Sequence, residues 1–178
     1  MVPEAKLQET ENGLVPEGEG WFVVNACEAR WFESDPFGEY TRFEGDVRFS
    51  EYGINLSVLH PGNPSCMYHG ENNQEDFLIL GGECLLLVEG KERPLRQWDF
   101  VHCPPWTEHV FVGTGSGPCY ILSVGTRRED EEIVYPAAEF AQHHGAAVLE
   151  ETPSPDEAYA SYPAPVERRY QEGDLPGW

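Results

Sequence analysis

From Gly20 onward the chain alternates short apolar runs with turn formers, and that rhythm predicts strands rather than helices. WFVVNA and ARWF lead into the turn Ser34-Asp35-Pro36-Phe37-Gly38, then EYTRFEG. A further run spans Ile54 to Leu59 and stops at Pro61-Gly62. Cys66 to Glu71, Glu75 to Leu80, Cys84 to Glu89, Arg93 to Arg96, Phe100 to Cys103, His109 to Val112 and Cys119 to Val124 then follow quickly. Short strands spaced by roughly 8–12 residues, with turn chemistry between them, indicate an all-β antiparallel sandwich or barrel.

Two of these runs, FLIL (77–80) and CLLLV (84–88), are apolar on both faces. A barrel strand has one face toward the interior, so its other face must also be covered. The chain extensions or a second subunit would do this; both are expected, which makes a homodimer part of the prediction. Residues 1–19 are acidic and aperiodic and read as a flexible arm. Residues 20–126 form the strand-rich body, and 127–178 a C-terminal extension. Within that extension Pro136 to His144 reads as a short helix stopped by Gly145. Ser154 and Glu157 have capping-box spacing for a second helix through Tyr159, and a proline-rich strap follows.

Charge narrows the partners. With 32 acidic and 11 basic residues the formal net charge is −21. Such a surface repels nucleic-acid phosphates and anionic membranes, leaving a small molecule as the expected ligand. The first residues have neither a basic start nor an apolar core, so no signal peptide is read there. No run approaches the roughly 20 apolar residues of a membrane span. Five cysteines without CxxC spacing fit buried free thiols in a reducing cytoplasm.

Candidate chemistry concentrates in YHGENNQEDFLILGG, residues 68–82. His69 and Glu71 are two apart, so on a strand both leave the same face, and Met67 shares that parity. Glu75 follows a polar turn and opens the next strand, where Phe77 and Ile79 share its face. A further ligand must come from another strand. His109 is the best placed, since it opens a strand on which Phe111 shares its face. Two carboxylates, Glu71 and Glu75, close together in an apolar cavity would be unfavourable near neutral pH without a cation. His102 reads as packing, and His60 as peripheral.

The stretch from about Leu59 to Val124 resembles a cupin. Gly62, His69, Glu71, Glu75 and Gly82 follow that family's first motif, with one extra spacer residue and Glu71 in place of its second histidine. Trp98, Pro104, Trp106, His109 and Gly113 fall at the spacings of the second. Tryptophans there replace two motif glycines, and Gly113 replaces an asparagine. The resemblance implies a double-stranded antiparallel β-helix, a jelly-roll barrel with a divalent metal inside. His69, Glu75 and His109 would be ligands, and Glu71 a fourth ligand or a catalytic base.

A set of two histidines and two glutamates favours Fe, Mn or Zn over Cu. The expected cavity is lined by Met67, Phe77, Ile79, Phe111 and Tyr68 or a tryptophan. With few cations nearby, it suits an uncharged or aromatic molecule better than a sugar phosphate. The leading expectation is a metal-dependent dioxygenase, with a facial triad on Fe(II). A non-catalytic metal- or ligand-binding module and a sugar isomerase or epimerase are the alternatives.

Overall fold

The structure, a computed structural model, describes residues 1–176. Its strands are β1 (Lys6–Thr10), β2 (Gly13–Glu17), β3 (Arg30–Ser34), β4 (Gly38–Thr41), β5 (Tyr52–Leu59), β6 (Gly70–Glu71) and β7 (Glu75–Gly81). They continue with β8 (Glu83–Val88), β9 (Lys91–Arg96), β10 (Phe100–Cys103), β11 (His109–Thr114), β12 (Cys119–Thr126) and β13 (Ile133–Val134). Two single-turn helices, α1 (Glu139–Gln142) and α2 (Pro155–Ala158), precede β14 (Val166–Arg169).

A seven-stranded sheet, ordered β10-β7-β12-β5-β4-β3-β14, faces a three-stranded one, β11-β8-β9. All strand pairs are antiparallel, as in a jelly-roll barrel. Period-two alternation sends Phe77 and Ile79 of β7 inward, where they meet Leu86, Phe111, Ile121 and Leu59 in the barrel core. Cys84, Cys103 and Cys119 lie in that same core. No helix among the described residues is long and apolar enough to cross a membrane.

The C-terminal extension covers both apolar outer faces. On the small sheet, Tyr68, Leu87, Val110 and Val112 pack beneath Phe140, Ala141 and Ala146, and the Tyr68 and Phe140 rings meet edge to face at 5.2 Å. Tyr68, Leu87 and Val110 are fully buried, with the Leu87 and Val110 side chains each contributing about 1.5–3 kcal/mol. On the large sheet, Trp31, Leu56, Val58 and Leu80 lie beneath Tyr170 and Leu175. There β14 adds to β3 as an edge strand, so the proline-rich tail is a strap. These contacts satisfy the unalternated runs within one chain.

Several local expectations are corrected. Residues 1–19 contain the β1–β2 hairpin, closed by Thr10 donating to the Gly13 carbonyl at 2.7 Å. Residues 21–26 form no strand; Trp21 makes only an isolated bridge with Glu4. The helix expected over 136–144 is one turn long. The capping box is half-formed. Ser154 Oγ accepts from Glu157 N at 3.3 Å, while the Glu157 carboxylate takes the Thr152 hydroxyl instead. Met67 lies outside the barrel core, packed with Tyr135, Val148 and Ala158, because regular strand geometry begins only at Gly70. Tyr68 likewise points outward.

Both tryptophans at glycine positions keep a glycine-like backbone, with φ +75° at Trp98 and +69° at Trp106. Their side chains are 63% and 48% exposed, so they project outward rather than filling the barrel. At Gly113, where the motif has asparagine, a Cβ would lie 2.1 Å from the His60 carbonyl oxygen. Only glycine fits that approach.

Candidate metal centre

His69 and His109 sit opposite each other on an antiparallel bridge. His109 N donates to His69 O at 2.9 Å, and the two rings are 5.2 Å apart. Glu75, the first residue of β7, reaches them from the large sheet. One ligand atom from each of His69, Glu75 and His109 lies within 4.8 Å of the others, with His109 Nε2 3.4 Å from Glu75 Oε2. Three of the four residues singled out by spacing are therefore brought together.

The backbone fixes the tautomer of both imidazoles. His69 Nδ1 donates to Met67 O at 2.8 Å and His109 Nδ1 donates to Thr107 O at 3.0 Å. Each histidine bonds the carbonyl two residues before it, which leaves Nε2 as the lone-pair donor. Two Nε2 atoms and a carboxylate then converge, and once their protons are displaced all three are lone-pair donors. That donor set fits a divalent cation.

Electrostatics agree. Burial and then the neighbouring Glu71 charge push Glu75 up to about 7. Burial, reinforced by His69, lowers His109 to about 4, so it stays neutral. His69 moves up to about 10: burial opposes this, but the Cys66 sulfur, 3.7 Å from Nδ1, and the Glu75 carboxylate outweigh it. Without a cation, the cluster keeps protons that a metal would displace.

Glu71 stands apart from the three clustered ligand atoms. Burial raises its carboxyl, His69 lowers it and Glu131 raises it, so it borders the centre electrostatically. Its strand pairs with β13, Ile133 opposite Glu71. Asn72 holds this segment through bonds with Glu132 and Asp130, and Asn73 Nδ2 donates to Glu131 Oε1 at 3.2 Å.

Phe77, 5.2 Å from the His109 ring, and Phe111, 6.1 Å from it, form the apolar wall. Sequence reasoning missed Tyr135, a buried residue of the extension whose ring lies 5.7 Å from His69. It falls beyond both motifs, and only its place in the apolar run IVYP hinted at burial. His102 is exposed and bonded to Asp76 at 2.6 Å, outside the centre. His60 pairs with Glu39 at 2.9 Å. All five cysteines are free thiols.

Residues 55–125 match the family model described as Cupin domain. Those residues therefore carry a cupin domain. Among solved structures it is similar to a cupin-superfamily sugar phosphate isomerase from Silicibacter pomeroyi, at 27% identity and TM-score 0.50, covering 55% of this chain and 64% of that one. A putative sugar phosphate isomerase from Acidithiobacillus ferrooxidans is also 27% identical, with TM-score 0.45 and coverages of 47% and 55%. A Cupin 2 conserved barrel domain protein from Salinispora arenicola is 23% identical, with TM-score 0.44 and coverages of 49% and 74%. The chain thus spans less than two thirds of the length of the two isomerase chains. No curated protein matches it.

Proposed function

We propose that this cupin is a metal-dependent enzyme that oxygenates a small, uncharged or aromatic organic molecule. One observation carries the reading: His69, His109 and Glu75 form a two-histidine, one-carboxylate set with both Nε2 atoms free. Those three side chains would hold Fe(II), which would supply oxygen-activating chemistry when bound; Mn or Zn would fit the same donors. Phe77, Phe111 and Tyr135 exclude water and give an aromatic molecule a wall to pack on. Glu71, half-buried and with its carboxyl raised by burial, would take a proton from the substrate or join the ligands.

The similarity to a sugar phosphate isomerase favours a second reading, isomerisation of a phosphosugar. Charge weighs against it. Of the nearby cations, Arg127 is held by Glu44 at 2.7 Å and Arg128 by Asp130 at 2.9 Å. The groups that influence the centre are the carboxylates of Glu71 and Glu131. A phosphate dianion would meet repulsion without a clamp.

Elemental analysis of protein purified without added metal, followed by an oxygen-uptake screen, tests the proposal. About one metal per chain and uptake with an aromatic substrate support it. Aldose–ketose conversion of a phosphosugar without oxygen consumption decides for isomerisation.

A further inference from the structure

A cavity lies outside the barrel, between the β3–β4–β5 region and the C-terminal extension. Its volume is about 480 Å³, within the range of ligand pockets. Phe37, Tyr40, Tyr159 and Tyr162 wall it, and Ser57 and Cys66 line its barrel side. Phe37 meets Tyr159 and Tyr162 edge to face at 5.3 and 4.9 Å. The cavity opens to solvent past the exposed Pro163, Ala164 and Pro165, so its aromatic walls are apolar surface that a ligand can cover.

The four rings come from outside residues 55–125. The cavity is therefore built by the extensions of this chain around the shared barrel. Its floor adjoins the metal centre: Cys66 Sγ is 3.7 Å from His69 Nδ1, and Tyr159 Oη accepts from Met67 N at 3.0 Å.

We propose that this cavity is a second small-molecule site, taking an uncharged aromatic alcohol or phenol. The rings supply faces and edges for an aromatic ligand, and the hydroxyls of Ser34 and Ser57 supply partners for its own hydroxyl. The one charged side chain lining the cavity is Asp156, so an anionic ligand is repelled and none is held by a cation. The site is independent of whether the barrel centre turns over.

Cys66 reports occupancy, and exposed Cys27 is the internal control. The probe is 1-naphthol, with iodoacetamide alkylation of purified protein followed residue by residue by mass spectrometry. Saturating 1-naphthol is expected to slow alkylation of Cys66 at least fivefold and leave Cys27 unchanged. Ala164→Trp, an exposed rim position, fills the cavity without touching the core. It is expected to slow Cys66 by itself and to abolish the effect of the probe.

An unchanged Cys66 rate up to the solubility limit of 1-naphthol overturns the proposal. So does equal protection in a folded Ala164→Trp variant, which would move the probe to the barrel. If Cys66 reacts too slowly to follow, naphthol fluorescence decides: saturable binding to wild type but not to Ala164→Trp supports the site, and equal or absent binding refutes it. No readout uses enzymatic activity, so the oxygenase reading can fail while this one stands.

Discussion

Trp106 N donates to the Glu71 carbonyl at 2.6 Å, tying the turn of the second motif to the strand of the first. That bond is made with Trp106 at φ +69°, a conformation costing a non-glycine residue about 1–2 kcal/mol. The bond belongs to the backbone, and the tryptophan side chain is half-exposed. Trp106→Gly should therefore keep the bond and relieve the strain. The expected gain is up to about 1 kcal/mol, or a Tm rise of about 2–4 °C. A fall in Tm on calorimetry would show that packing of the indole outweighs the strain.

Gly113 makes the opposite case. A methyl group there would press on the His60 carbonyl, and Gly113 N donates to Asn63 O at 2.8 Å in the same crowded turn. Gly113→Ala should cost about 2–3 kcal/mol through forced backbone movement, read as a lower urea midpoint. An unchanged midpoint would mean that the turn yields freely.

The metal-free centre should impose a pH dependence that metal removes. Glu75 is raised to about 7, so from about 4.5 to 7 the folded state holds more protons than the unfolded chain. Its contribution to stability therefore falls as pH rises. His109, lowered to about 4, has the opposite slope between 4 and 6.5, and the two oppose each other there. His69, raised to about 10, contributes stability below about 6.5 that is lost as pH climbs toward 10. Metal-free protein should thus lose Tm steadily above pH 6.5, while one equivalent of Zn should flatten the slope. Equal slopes in thermal melts with and without metal would refute this.

The barrel was legible because its signals are local: period-two strands, turn residues, and motif spacing that placed His69, Glu75 and His109. Phe77, Ile79 and Phe111 followed from strand parity. Parity failed at Met67, which precedes regular strand geometry, so an alternation carried backward sent it to the wrong side. The β1 hairpin was hidden because KLQET is largely exposed and gives no apolar alternation to read. Tyr135 and the cavity beside Cys66 depend on contacts between segments far apart in sequence, which no local pattern encodes. The exposure of Trp98 and Trp106 was undecided for a related reason: side-chain direction at a turn depends on φ, and a non-glycine residue at positive φ is not anticipated from sequence.

Glu71 decides how far the chemistry of the centre extends. It occupies a histidine position of the motif, outside the three clustered ligand atoms, yet its charge acts on Glu75. Glu71→Gln keeps the shape and removes the charge. If Glu71 acts as a base, the variant should retain about one metal per chain, and turnover should fall about 10²- to 10⁴-fold, the range for general acid–base groups. If it is a ligand, metal content should fall with activity. Metal-free Glu71→Gln gives a further check. Removing the neighbouring negative charge should lower the pKa of Glu75, because that charge is the second cause of its elevation. Carboxyl resonances followed by NMR would read this directly, and an unmoved Glu75 would place Glu71 outside the centre.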